Sequence, residues 1–277
     1  MSTSPQLSAY VSAFNLLQNG FDYEDALTDM IAFFDEVVVA VNTSEDGTLA
    51  ALQALAAAPE SVGKLRVIST SFRYDDVTFD GAVKNAALQA CTQEDAANRV
   101  YIQMDMDEIA PLSQRALWRV VAQQLLADPY TQCYMFPSVD LWSSMDTIRA
   151  DKSIGLKFRM HKSGLSRGVW KHAWVIPGKR FDTSRSDSCE LLTPEGDLAC
   201  AVAVTPFNPI TPAVIGLLRD YPHTLHTGYV SYEQRVRVNN AIWAAHWPLR
   251  SGHPEKVATK VDELRDVPLV KHGLSLS

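Results

Sequence analysis

Val100-Tyr101-Ile102-Gln103-Met104-Asp105-Met106-Asp107-Glu108 is the stretch on which the fold turns. Four of its first five residues are apolar or β-favouring, and the run reads as a buried strand. The strand runs directly into two aspartates separated by one residue. Open α/β sheets bind their ligands beyond the carboxyl ends of their strands. A carboxylate pair at that point is therefore a candidate site, provided the surrounding chain builds such a sheet.

Upstream, the chain alternates strand and helix signals. Leu7 to Ala13 reads as a strand. Tyr23 to Phe34 reads as an amphipathic helix, with Ala26, Leu27, Met30, Ile31 and Phe34 on one side. Val37 to Val41 is a continuous apolar run, and Thr48 to Ala58 is an Ala- and Leu-rich helix stopped by Pro59. Leu65 to Thr70 is the next strand and Asp80 to Cys91 the next helix. Downstream, Pro111 opens a helix to about Ala127, where a proline is well placed. This order predicts an α/β fold with a mostly parallel central sheet and helices on both faces.

The second half is less regular. Cys133 to Val139 and Gly155 to Met160 read as strands, and Ser231 to His246 as a helix. Pro206 to Pro212 is a turn region, and the tail after Pro248 is polar. The 277 residues read as one domain. About 7–127 form the regular first half, about 128–247 the less regular second half and 248–277 a C-terminal tail.

No apolar run reaches the length of a membrane-spanning helix, and the polar start Met1 to Gln6 lacks a signal pattern. The expectation is a cytoplasmic protein. Cys91, Cys133, Cys189 and Cys200 lie far apart with no C-x-x-C spacing, so they are expected as reduced, buried thiols rather than zinc ligands or disulfides. The net charge of −7 hides an asymmetry. From Lys152 to Ser186 there are nine Lys or Arg against one acid, Asp182, whereas the remaining chain carries sixteen basic and thirty-one acidic residues. A concentrated basic segment in an acidic chain points to a site for an anion. The same segment interleaves Phe158, Trp170 and Trp174 with its cations. That mixture suits phosphates and stacked rings, or alternatively a solvated hairpin with its tryptophans in the core.

Asp105 and Asp107 have the right chemistry for a divalent cation. Mg²⁺ and Mn²⁺ take hard oxygen ligands, typically one or two carboxylates with phosphate oxygens and water. The competing explanation is an acidic turn ahead of the helix at Pro111. Asn42-Thr43-Ser44-Glu45-Asp46-Gly47-Thr48 closes the second strand with short polar side chains that can receive a base or ribose. Asp46 can equally do no more than cap the following helix.

The order of strand, acidic-Ser-x-Asp-Gly-Thr, strand, Asp-Gly-Ala-x-x-Asn, strand, Asp-x-Asp-Glu resembles the glycosyltransferase family 2 group over roughly residues 7 to 127. Its carriers are Phe14-Asn15, Val41 to Thr48, Asp80 to Leu88 and Asp105 to Glu108. The resemblance implies a GT-A fold and a metal-dependent transfer from a nucleoside-diphosphate sugar to an acceptor hydroxyl, with inversion. It implies that Asp105 and Asp107 hold Mn²⁺ or Mg²⁺ and the diphosphate. Asn15, Asn42, Asp46, Lys84 and Asn85 would then line the donor site. The family's base-contacting aspartate is replaced here by Val41-Asn42, so the base contact is altered. A late histidine often completes the family's metal shell. His226 fits that place, with His223 as its competitor. The family's base lies in its second half, often in a Glu-Asp pair that this chain lacks there. Glu190 is the first candidate, followed by Asp187 and Asp140.

In the family the second half builds the acceptor side, so the basic segment implies an anionic acceptor: a phosphorylated glycan or lipid head group, or DNA carrying a hydroxylated base. The sequence leaves the oligomeric state open. Two other readings compete. A nucleotidyltransferase would share the sheet and the metal, but Phe14-Asn15-Leu16-Leu17-Gln18 is not the Gly-rich phosphate loop it needs. A non-catalytic nucleotide-sugar-binding protein would have no need of an intact Asp-x-Asp.

Overall fold

The structure is a computed structural model. It describes residues 4–20, 23–72, 79–92, 94–128, 133–149, 155–162, 169–170, 173–176, 179–180, 188–192, 198–203, 218–219, 222–231, 233–238, 269–271 and 274. The first half alternates as β1 (Gln6–Ala13), α1 (Tyr23–Phe33), β2 (Glu36–Asn42), α2 (Thr48–Ala56), β3 (Leu65–Thr70), α3 (Phe79–Ala90) and β4 (Arg99–Met104). There follow β5 (Glu108–Ile109), α4 (Arg115–Ala127), β6 (Cys133–Trp142), β7 (Thr147–Arg149) and β8 (Gly155–Lys162). Short strands β9 (Val169–Trp170), β10 (Ala173–Ile176) and β11 (Lys179–Arg180) form one small sheet. The strands β12 (Ser188–Leu192) and β13 (Leu198–Ala203) form another. Strands β14 (Thr224–Tyr229) and β15 (Leu269–Lys271) return to the large sheet.

The large sheet runs β15-β7-β6-β8-β4-β1-β2-β3, with β14 paired to both β5 and β6. The core strands β3, β2, β1 and β4 are all parallel, as the helical crossovers between them require. Beyond β4 the chain adds β8 and β6 antiparallel, and β14 then lies parallel to β6.

Strand alternation sends the apolar side chains to both faces. Leu7, Ala9 and Val11 with Val37, Val39 and Val41 face α1 and α4 and pack with Leu27, Met30, Phe34 and Trp118. Tyr10, Val38 and Ala40 face α3 and pack with Val83, Ala87 and Leu88. Helices thus cover both faces of a mostly parallel sheet, the fold class expected from the alternating pattern.

Two strands run further than their patterns suggested. The strand expected to end at Val139 continues to Trp142, because Leu141 and Trp142 are buried. Asp140 therefore stands within β6, as its one solvent-facing residue near that end, and not after it. The strand expected to end at Met160 continues to Lys162. The added His161 is buried between two tyrosines, with Nε2 3.1 Å from Tyr10 Oη. Burial pushes its pKa down to about 4, so this member of the basic segment is a neutral core residue. Cys91 is likewise buried and free, and burial pushes its thiol pKa up. The side chains of Cys133, Cys189, Cys200, Trp170 and Trp174, residues 204–217, and the end of the helix expected to reach His246 lie outside the described residues. Among the described residues no helix is long and apolar enough to cross a membrane.

The turn into α2 illustrates how the site end is built. Gly47 holds a left-handed φ of 87°, and Asp46 Oδ1 accepts the Thr48 N–H at 3.0 Å. A Cβ on Gly47 would meet only Leu17 Cδ1, at an ordinary 3.5 Å. Only the backbone then resists substitution. Gly47→Ala is expected to cost about 1–2 kcal/mol of stability, read by urea denaturation, with the native state otherwise unchanged.

Candidate active site

The candidate residues collect at the carboxyl ends of β1, β2 and β4. Asn15, just after β1, adopts a φ of 46°, a conformation that asparagine tolerates better than most residues. Its N–H donates to Ser44 Oγ at 3.0 Å, tying the first loop to the second. Its side-chain oxygen is buried with no hydrogen-bond partner among the described residues. Asn42, at the end of β2, is 2% exposed. Its Oδ1 accepts from Phe72 N at 2.8 Å and from Thr70 Oγ1 at 3.0 Å, while Nδ2 donates to Phe72 O at 3.0 Å. A carboxylate could not satisfy both backbone groups of Phe72, which accounts for an amide at this position. Asp46 is occupied in the same way. It accepts from Thr48 N and from Gln18 N, and although burial opposes its charge, these hydrogen bonds hold its pKa below the usual carboxylate value. It links the first loop to α2 and supports the start of that helix.

The Asp105–Glu108 turn is closed from within. Asp105 N donates to Glu108 Oε2 at 2.9 Å, and Glu108 N returns a bond to Asp105 O at 3.1 Å. Glu108 is fully buried, and its other oxygen accepts from Ser138 Oγ on β6. Glu108 thus locks the turn that aims both aspartates. Asp105 Oδ1 lies 3.3 Å from Lys84 Nζ and accepts from Gln103 Nε2 at 3.0 Å. Lys84 reaches it from α3 with its side chain only 6% exposed. Asn85 lies beside it on the same helix.

Strand β14 delivers the remaining groups. Its antiparallel pairing sets His226 opposite Glu108, and Thr227 donates through both N and Oγ1 to Asp107 O, at 2.7 and 3.0 Å. His226 Nε2 consequently lies 3.1 Å from Asp107 Oδ2. Its other nitrogen, Nδ1, lies 3.2 Å from Asp140 Oδ1 on β6. Burial disfavours a charged ring, but the carboxylates of Asp107 and Asp140 outweigh it and hold the His226 pKa above the ordinary histidine value. Asp107 Oδ2 also meets Arg235 Nη2 at 3.1 Å. Gly228 makes this crowding possible, because a Cβ there would stand 2.5 Å from Asp107 Oδ2 and 2.9 Å from His226 Cε1. A cleft of about 440 Å³ opens beside Asp107, lined also by Asp25, Asp29, Gly228, Gln234 and Arg235.

The structure therefore brings Asp107, His226 and Asp140 together and places Asp105 with Lys84. Glu190 sits on β12, whose sheet is separate from the one carrying Asp107. Its side chain, and all of Asp187, lie outside the described residues. Sequence reasoning missed Arg235 and Gly228. The available signal was Gly228 two residues after a candidate ligand, followed by a short turn and a basic residue.

Among the described residues no three His, Cys, Asp or Glu side chains converge on one metal point. The pair of Asp107 and His226 nevertheless suits a cation held partly by substrate. Mg²⁺ keeps several waters and binds through one or two protein groups plus phosphates. Asp107 Oδ2 and His226 Nε2 face one another at 3.1 Å, and a carboxylate oxygen with an imidazole nitrogen is a donor set that Mn²⁺ would accept. A carboxylate on the far nitrogen, as Asp140 provides, is the usual support of a ligating histidine.

No family model matches the chain, and no curated protein sequence matches it. Solved structures do. A Staphylococcus aureus TarS fragment, residues 1–349, is similar over 86% of this chain and 64% of its own, at 11% identity and a TM-score of 0.39. The same fragment in complex with UDP-GlcNAc matches over 50% of this chain and 34% of its own, at 16% identity and a TM-score of 0.33. The mannosyltransferase PcManGT from Pyrobaculum calidifontis, in complex with GDP-Man and Mn²⁺, matches over 51% of this chain and 36% of its own, at 23% identity and a TM-score of 0.35. In each case the match spans less than two thirds of the other chain.

Proposed function

We propose that this protein is a metal-dependent glycosyltransferase that moves a sugar from a nucleoside-diphosphate donor to an acceptor hydroxyl. The observation that carries the reading is the convergence of Asp107, from the turn after β4, with His226, from β14, and the support of that histidine by Asp140. Asp107 and His226 would hold Mn²⁺ or Mg²⁺. When bound, such an ion neutralises charge developing on the leaving diphosphate.

The chain's own groups have separate tasks. Lys84, buried against Asp105, brings a fixed positive charge to the donor side of the site. Asp140 orients the His226 ring and keeps Nε2 directed at Asp107. Asn15, Asn42 and Asp46 brace the two loops that would receive the nucleoside, the expected donor half of the chain. Because Asp140 is engaged by His226, the proton of the acceptor hydroxyl falls to Glu190 or its neighbour Asp187, and an inverting transfer follows from such a base. The excess of cations from Lys152 to Ser186 supports an anionic acceptor, a phosphorylated glycan or lipid head group or DNA carrying a hydroxylated base.

A thermal-shift panel tests the reading against the nucleotidyltransferase alternative, and hydrolysis of the nucleotide sugar that the panel selects tests it against the binding-protein one. UDP, GDP, ADP, CDP and dTDP, and the corresponding triphosphates, are each added with and without Mn²⁺. At a hundredfold excess over Kd, a ligand of the native state adds about 2.7 kcal/mol of stability, a rise of several degrees. One or two diphosphates are expected to do so with Mn²⁺ and much less without it. A protein stabilised by none of them at millimolar concentration is not a nucleotide-sugar transferase. Stabilisation by triphosphates alone would favour nucleotidyl transfer.

A further inference from the structure

Arg235 meets Asp107 on the same carboxylate oxygen as His226. The chain turns sharply after β14, with Val230 N donating to Thr227 O and Arg235 N to Ser231 O. The turn brings Arg235, in the helical residues 233–238, back across Gly228. A Cβ on Gly228 would lie 3.4 Å from Arg235 Nε, so the missing side chain leaves room for the guanidinium. Its Nη2 stands 3.1 Å from Asp107 Oδ2, the same oxygen that faces His226 Nε2. The side chain is 12% exposed, and its guanidinium carbon lies 5.9 Å from the ring centre of Tyr229.

One carboxylate oxygen thus serves two partners, and one of them carries a permanent positive charge. A divalent cation on Asp107 Oδ2 would stand beside that guanidinium, in a place where water screens poorly. Both cannot rest on the oxygen at full strength. A guanidinium, however, fits a phosphate as well as a carboxylate, through the same parallel N–H donors. Both Arg235 and Asp107 line the cleft.

We propose that Arg235 couples cation binding to diphosphate binding. It neutralises Asp107 until a diphosphate enters the cleft, then exchanges the carboxylate for phosphate oxygens and leaves Oδ2 to the cation. The coupling makes a nucleotide-free protein a poor cation binder. It rests on the assignment of Asp107 as a cation ligand.

The test separates the two claims. Mn²⁺ affinity is measured without any nucleotide, by electron paramagnetic resonance of the free ion, in wild type and Arg235→Gln. Typical coupling between sites spans about 5- to 150-fold, and the variant is expected to bind Mn²⁺ about tenfold or more tightly than wild type. UDP and GDP binding, measured in excess EDTA, should weaken in the same variant. A merely structural Arg235 would instead lower Mn²⁺ affinity by disordering Asp107. Unchanged or weaker Mn²⁺ binding in a variant that melts like wild type overturns the coupling and leaves the cation site standing. No Mn²⁺ binding by either protein, with or without a diphosphate, overturns the cation site and the coupling together. If Arg235→Gln does not fold, Arg235→Lys decides. It loses the paired donors, so EDTA-insensitive diphosphate binding should fall, and wild-type values for both ligands would overturn the proposal.

Discussion

Asp107→Ala is expected to lower the rate of sugar transfer by about a thousandfold or more, close to 4 kcal/mol of transition-state stabilisation, while leaving the chain folded. The turn that carries Asp107 does not depend on its carboxylate. It is closed by Asp105 N to Glu108 and anchored to β14 by Thr227 on the Asp107 carbonyl, and both sets of bonds survive the substitution. The carboxylate, in contrast, faces His226 and Arg235 at 3.1 Å each, so its loss removes the charge that pairs both. Arg235 would then lose its contact with the Asp107 carboxylate, a stability cost that Asp107→Asn separates from the catalytic one by keeping the shape. Activity should also vanish in excess chelator and return with Mn²⁺ or Mg²⁺. Full transfer by a folded Asp107→Ala protein would remove this turn from the mechanism.

The parallel core was legible because each of its signals is local. A five-residue apolar run such as Val37 to Val41 can only be buried on both faces, and helical crossovers force its neighbours parallel. The polar ends of those strands also came out of the pattern, since ligand sites in such sheets follow the strand termini. What local pattern could not supply is the long-range pairing of the second half. His226 reaches Asp107 because β14 pairs with the two-residue β5, a strand too short to show any periodicity. Asp140 reads from sequence as a free candidate base because the apolar pattern ends β6 at Val139, three residues short of Trp142. Its contact with His226 depends on β6 and β14 lying side by side, 86 residues apart in sequence at the Asp140–His226 pair. The polar loop residues were ambiguous for another reason. Asn42 and Asp46 use their side chains on Phe72, Gln18 and Thr48, and a residue type that can bind a ligand or a backbone does not announce which it does.

His226→Ala should weaken Mn²⁺ binding by about a hundredfold, at or beyond the upper end of what loss of a supporting partner costs, whereas His223→Ala should leave it unchanged. His223 lies outside β14, the strand that delivers His226 to Asp107. Acidity provides the sharper check. The raised pKa of His226 means that its charged ring stabilises the metal-free fold fully below the ordinary histidine value, near 6.5, and that this contribution is lost as pH rises through the raised folded value. Cation binding needs the neutral ring, so the stabilisation gained from Mn²⁺ must grow as pH rises over the same interval. The two slopes are opposite in sign, and melting temperatures with and without Mn²⁺ across that interval should diverge. Asp140→Asn removes one of the carboxylates that hold the proton on the ring. The His226 pKa then falls, and the rise of the Mn²⁺ response should begin at a lower pH than in wild type, even though a less firmly held ring reduces its height. A Mn²⁺ response that is flat with pH in wild type, or that is unmoved by both His226→Ala and Asp140→Asn, would return the histidine to a purely structural role.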